Sequence, residues 1–309
     1  MKKLEEKSTI WNIDGFELAI SNPHKIYWPK ENYTKLDLLN YYKQIAPILL
    51  PYLKNRPATM HFFPRGIEDF SFYKRNFEDK VQETRLFVTV PYNEISKDKI
   101  IQVLLIQNAA GILWLAARGG IEFHLWSAEA PNFDHPDIAI FDLDVADVLY
   151  FKNVLKAAGY LNELLLSYNL KGYPKTTGGT GLHIYVPIVP KYSFETVRGW
   201  VKSISDLLVE QYPKLVTTQR KKGKTHQKDK VTLDYMQNVI SRNTAAPYTI
   251  RGYDMAPIST PLNWDEVKKG GFIPTDFTIK NVPERIKKLG DIFTEVIKLK
   301  QILPVGIGS

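Results

Sequence analysis

The run Ile138-Ala139-Ile140-Phe141-Asp142-Leu143-Asp144 constrains this chain more than any other stretch. It is apolar and β-prone, and two carboxylates close it. Alternate side chains of a strand share a face, so Asp142 and Asp144 point the same way. Neighbouring anions repel unless one is protonated or a cation lies between them. Oxygen ligands of this kind suit Mg2+ or Mn2+. A strand running into an acidic turn has the same pattern, so the pair needs support from the rest of the chain.

The formal net charge of +8 over 309 residues, with a pI near 9.2, favours a polyanionic partner. The absence of cysteine excludes disulfides and thiolate metal sites. The charged start, Met1-Lys2-Lys3-Leu4-Glu5-Glu6-Lys7, has no apolar region behind it, and the apolar run around Ala109 to Ala117 is too short to span a bilayer. A soluble cytoplasmic protein of one large or two ordinary domains is expected.

Asn12–Gly15 and Ser21–His24 read as turns. Thr34 and Asp37 resemble a helix N-cap pair, followed by a stripe of Leu38, Leu39, Tyr42, Ile45, Leu49 and Leu53. Pro47 predicts a break or kink midway. Lys25 and Lys35 flank the helix start, where free N–H groups bind phosphate; two solvated lysines are the alternative. Thr59–Phe63 reads as a strand. Phe70–Asn76 interleaves aromatics with bases, which suits nucleobase stacking or the edge strand of a core. Lys99–Ala117 has a helical flavour around Leu104 to Trp114. Ile121–Trp126 alternates, which puts His124 on one face with Glu122 and Trp126.

After Asp147 a helical stripe runs from Val148 to Tyr168, with Gly172 as its C′ residue. Lys175–Pro187 holds a glycine-rich loop that suits an anion nest or a plain hairpin. Beyond it Leu182, Ile184 and Val186 face the core, and His183 and Tyr185 face the other way. Ser193 opens another helix, and Arg220–Lys230 is a basic loop, either solvated or a polyanion clamp. Val231–Tyr235 is a strand with Asp234 opposite Val231 and Leu233, a third candidate metal ligand. Gln237, Asn238 and Arg242 extend the polar patch, and Arg251 follows an apolar strand. Residues 284–299 read as a last helix with Ile286, Leu289, Ile292, Phe293 and Val296 inward. Periodicity alone gives mixed α and β.

Together, Phe141-Asp142-Leu143-Asp144, Thr177-Gly178-Gly179-Thr180-Gly181-Leu182-His183, Leu233-Asp234-Tyr235-Met236-Gln237-Asn238 and Ala246-Pro247-Tyr248-Thr249-Ile250-Arg251 resemble the archaeo-eukaryotic primase superfamily. More narrowly, the chain resembles the polymerase domain of bacterial ligase D and its stand-alone relatives. The resemblance implies an α+β primase-polymerase core with RRM-like antiparallel or mixed sheets flanked by helices. It implies a single catalytic domain over 1–309, with a 5′-phosphate and template part at about 10–120 and a metal and nucleotide part at about 121–300.

By the same resemblance, Asp142, Asp144 and Asp234 hold two divalent ions, Mn2+ or Mg2+. Thr177, His183 and Arg251 contact the triphosphate, with Gln237 and Asn238 nearby, and His124 lies near the sugar. Asn22, Lys25 and Lys35 capture a 5′-phosphate, and Phe72 and Tyr73 stack on the template. The family commonly has Ser at Thr177, Lys at Thr180, Phe-Phe at Phe72-Tyr73 and a basic residue at His61. The implied function is template-dependent filling of gaps and ends in double-strand break repair by non-homologous end joining, with ribonucleotides preferred. The implied partners are gapped or broken DNA, NTP or dNTP, Ku and a separate DNA ligase, at the nucleoid and with no membrane. A replicative or mobile-element primase is an alternative. A non-catalytic DNA-end-binding module is another, although clustered anions beside phosphate add nothing to pure binding.

Overall fold

The computed structural model describes residues 9–77, 86–94, 98–219 and 228–304. Most of the basic loop, residues 220–227, lies outside them. The expected turn at Asn12–Gly15 joins β1 (Thr9–Ile13) to β2 (Phe16–Ile20) as a two-residue hairpin. β3 (Ile26–Trp28) then pairs with β4 (Tyr33–Thr34), which leads into α1 (Lys35–Leu53). Thr34 and Asp37 form a reciprocal cap: each side chain accepts the other's backbone N–H, at 3.2 and 2.7 Å.

The expected break at Pro47 does not occur; α1 runs through Pro47 and Pro51. Its buried stripe (Leu38, Leu39, Tyr42, Ile45, Leu49, Leu53) is seated in the core over the full length. That burial offsets the hydrogen bonds the prolines remove.

β5 (Ala58–Phe62), β6 (Phe72–Lys74), β7 (Phe87–Glu94), β8 (Lys99–Ile106) and β9 (Gly120–Leu125) build the first of two large sheets. β9 lies beside β5, which shares its other edge between β6 and β8. The helix expected within Lys99–Ala117 is only α2 (Ala109–Ala117), because the first half of that run is β8. Ile101 and Val103 pack with Trp126, whereas Leu104 and Ile106 join the main core. A strand buried on both faces shows no alternation, so periodicity cannot separate it from a helix.

The second sheet has the order β11 (Tyr173–Thr176), β12 (Gly181–Pro187), β10 (Ile138–Asp144), β14 (Val231–Asp234), β13 (Val216–Thr217). It is antiparallel except for β13 and β14. α3 (Phe151–Ser167) and α4 (Phe194–Gln211) cover one face, burying Phe141, Leu143, Leu182 and Ile184 against Val154, Leu161, Trp200 and Ile204. On the opposite face Ile138, Ile140 and Tyr185 join the core of the first sheet. That face of β10 is therefore apolar up to Ile140 and acidic beyond it. β15 (Thr244–Ala245) comes from late in the chain to pair with β9, so the first sheet is closed by distant sequence.

Two helix ends differ from expectation. Asn169 (φ 58°), not Gly172, is the left-handed residue after α3, with Leu170 N–H bonded to Leu165 O. After the short α5 (Trp264–Lys269), the helix expected over 284–299 is split into α6 (Val282–Leu289) and α7 (Glu295–Lys298). In the bend between them Asp291 accepts the hydroxyls of Tyr52 and Tyr248, and Leu289 is left exposed. No helix among the described residues is long and apolar enough to cross a membrane.

Candidate functional site

Strand register assembles the acidic face. β10 is central, so Asp142 is the cross-strand partner of both His183 on β12 and Asp234 on β14. Asp144 stands opposite Gly181 and Thr232. A Cβ at Gly181 would lie 2.1 Å from Asp144 Oδ1, so only glycine lets that carboxylate sit over the neighbouring strand. Gln237 Nε2 donates to Asp142 Oδ2 at 2.9 Å, and Asp234 Oδ1 accepts Met236 N–H at 2.9 Å. Burial and then the charge of Asp142 push the Asp144 carboxyl up to about 7. Among the described residues no three His, Asp or Glu side chains are drawn into a closed ligand cluster. Asp142, Asp144 and Asp234 nonetheless offer carboxylate oxygens, the donor type that fits a hard divalent cation.

The glycine-rich loop faces this edge. The Thr177 hydroxyl accepts the N–H groups of Gly179 and Gly181, each at 3.2 Å, and so holds the loop itself. Arg251 crosses behind it, donating from Nη1 to Thr177 O. His183 Nε2 lies 3.4 Å from Asp142 Oδ1, while Nδ1 accepts Lys175 Nζ at 2.9 Å. Lys175 is wholly buried and also donates to Ser259 Oγ at 2.7 Å. Burial and the Arg251 charge hold this lysine well below its usual range, partly countered by Asp142. A donor at Nδ1 leaves the Nε2–H tautomer of His183 aimed at Asp142. Nothing in the sequence marked Lys175 as more than the start of a loop.

Glu122 is a second hub that sequence reasoning missed. Its carboxylate accepts His124 Nε2 at 2.6 Å and Gly252 N–H at 2.7 Å, and it lies 3.3 Å from Arg251 Nε and 3.4 Å from His61 Nδ1. Burial opposes its charge, but these donors and the Arg251 cation hold its pKa far down. Alternation had placed Glu122 and His124 on one face, which was the available signal.

Phe72 and Tyr73 are both exposed but do not share a platform. Tyr73 stacks on His61 (centroids 3.8 Å apart) and meets the edge of His124, whereas Phe72 stacks on Phe62 and Phe70. Consecutive strand residues point to opposite faces, so each ring has its own set of neighbours. Asn238 does not reach the cleft either: both its amide atoms bond to the backbone of Ile140 on β10.

The cleft holds about 240 Å³ and is lined by His124, Asp142, Asp144, Thr177, His183 and Arg251, among others. A larger groove of about 1010 Å³, with Arg75, Tyr92 and Arg242, shares Gln237 and Asn243 with it. Asn22, Lys25 and Lys35 form a separate group at the N-terminus of α1. Lys35 Nζ donates to Ser21 O at 2.7 Å, and Lys25 Nζ to Pro64 O at 3.1 Å. Burial, then Lys25 and Arg118, lower the Lys35 pKa.

Carboxylates opposite an Arg- and His-flanked glycine loop, in a cleft between two sheets, define the class: enzymes that handle phosphates beside divalent cations. A family model described as LigD, primase-polymerase domain, matches residues 34–293. The chain belongs to that family, whose members are DNA-directed nucleotidyltransferases. It is 30% identical over 290 residues to the bifunctional non-homologous end joining protein LigD of Bacillus subtilis, covering 94% of this chain and 46% of that protein. It is 26% identical over 285 residues to the multifunctional LigD of Mycolicibacterium smegmatis, covering 91% and 36%. The chain thus spans half or less of the length of these relatives. The solved polymerase domain from Mycobacterium tuberculosis Ligase D in complex with DNA shares the fold, with a TM-score of 0.82, 24% identity and coverage of 92% and 99%.

Proposed function

We propose that this chain extends 3′-hydroxyl ends of gapped or broken DNA by template-directed nucleotidyl transfer, as the polymerase of an end-joining repair pathway. The observation that carries this reading is Asp142 flanked in register by His183 and Asp234, beside Asp144 and facing the glycine-rich loop. Asp142, Asp144 and Asp234 would hold two divalent ions, Mn2+ or Mg2+. Such ions supply charge for the triphosphate and a lowered pKa for the attacking hydroxyl.

The chain's own groups then bind and orient. Arg251, held by Glu122 and Thr177 O, offers its guanidinium to the triphosphate. His183 presents a fixed Nε2–H beside the carboxylates, positioned by Lys175. His124, anchored on Glu122, sits where the nucleotide sugar lies, and Tyr73 offers a ring face towards a base. Thr177 shapes the loop, and Gln237 orients Asp142. Asn22, Lys25 and Lys35 take the 5′-phosphate on the far side of the gap. Ribonucleotide preference, partnership with Ku and a separate ligase, and action at the nucleoid follow from the resemblance to ligase D polymerase domains.

The test is primer extension across a short gap with Mn2+, comparing rNTP with dNTP. Wild type should extend, faster with rNTP; Asp142→Ala and Asp144→Ala should still bind the DNA and fail to extend. Undiminished extension by both variants would sink the assignment.

A further inference from the structure

We propose that Tyr253 is a further nucleotide-binding residue, whose hydroxyl donates to the terminal phosphate of the incoming triphosphate. This deepens the reading of Arg251 as a triphosphate contact and rests on it.

Tyr253 stands at the rim of the cleft and is 49% exposed. The backbone around it fixes its place. Gly252 donates its N–H to Glu122 Oε1 at 2.7 Å, and a Cβ there would run into the buried ring of Phe63. Tyr253 O accepts Nε1–H of Trp28, a fully buried indole, at 2.9 Å and Ala256 N–H at 3.1 Å. A donor held in this way loses little freedom when a ligand binds.

The ring lies between the guanidinium and the glycine-rich loop. Arg251 Cζ is 5.3 Å from the ring centroid, and a Cβ on Gly179 would lie 3.8 Å from Tyr253 Cε2. Gly178, with φ 73°, leaves room for Arg251, since a Cβ there would lie 2.6 Å from the arginine Cγ. Arg251 directs Nη1 to Thr177 O, Nε towards Glu122, and Nη2 to the Tyr253 hydroxyl oxygen at 3.4 Å, a long contact. A hydroxyl that accepts from a cation turns its own hydrogen the other way. Among the described residues that hydrogen meets no acceptor. The partner it suits is therefore one the protein does not supply, and the cation beside it favours an anion.

Position in the cleft selects the phosphate. The reacting α-phosphorus belongs beside Asp142 and Asp144, and Asp142 is buried at the inner end. Arg251 and the loop lead the triphosphate outwards from there. Its last phosphate, which carries the most charge, then reaches the rim where Tyr253 stands.

The test is calorimetric titration of ATP and of ADP, each with Mn2+, into the protein bound to gapped DNA. The primer ends in a dideoxynucleotide and the template presents thymidine, so the nucleotide pairs without reacting. Wild type should bind ATP more tightly than ADP. Tyr253→Phe, which removes one oxygen and keeps the ring, should weaken ATP binding about three- to tenfold and leave ADP binding unchanged. An equal loss for ATP and ADP would mean that the hydroxyl supports the cleft and not the terminal phosphate. No loss for either would mean that it makes no contact, and both results overturn the proposal. Wild type that binds ATP and ADP equally overturns it as well, while the polymerase reading is decided separately by primer extension.

Discussion

Asp142 and Asp234 face each other across adjacent antiparallel strands, although 91 residues separate them in the chain. Asp144 lies on the same face of β10, and its carboxyl is pushed up to about 7 by burial and by Asp142. Its folded pKa thus lies above its ordinary value of 3.8, so the ionised group destabilises the metal-free fold. The penalty is absent in acid, grows between about pH 4 and 7, and is complete above. Asp144→Asn should therefore raise metal-free stability at pH 8 by on the order of 1–3 kcal/mol while extension falls at least about 100-fold. Thermal melts with and without Mn2+ check this: Mn2+ should stabilise wild type and not the variant.

Lys175 orients His183 from behind. Lys175→Met keeps the volume and removes the donor, so the imidazole is free to change tautomer and tilt. Extension should fall about 10- to 100-fold, with binding of gapped DNA unchanged. Steady-state kinetics against nucleotide, beside anisotropy on DNA, separates the two; parallel losses in both would mean a general packing role.

Tyr73 and Phe72 point to opposite faces of β6 and should act separately. Tyr73→Ala should impair incorporation at the cleft, whereas Phe72→Ala should weaken binding of single-stranded template by about 1–3 kcal/mol. The double variant should be additive within about 0.5 kcal/mol. Strong coupling in a double-mutant cycle would show a shared platform after all.

Arg56, just after α1, pairs with Asp137 at the start of β10, at 2.7 Å and with both groups buried. Burial opposes the Asp137 charge, but Arg56 and Lys300 hold its pKa below the ordinary value. Its stabilisation is present above about pH 4 and lost as pH falls through the depressed value. Asp137→Asn should cost about 3–5 kcal/mol at pH 7 and flatten the acid limb of the stability profile. Urea melts between pH 3 and 7 measure both.

Much of the site was legible because strands alternate. The side chains of Asp142, Asp144, His183 and Asp234 were each assigned a face from local pattern, and the structure keeps those faces. What was missed required knowledge of a neighbour. β8 hid its alternation by being buried on both sides, and α1 kept its prolines because the core held the helix together. Lys175 and Glu122 look like ordinary polar residues until the segments they meet are known.

By itself the order of residues settled which side chains share a face, where the first hairpin turn and the cap of α1 fall, and that three acids stand at strand ends. Such features follow from backbone geometry within a few residues. Only the tertiary structure decided that β10 lies between β12 and β14, which buried lysine braces which imidazole, and that Phe72 and Tyr73 part ways. Those outcomes depend on pairing between segments far apart in the chain, where burial and register, not local periodicity, set the energies.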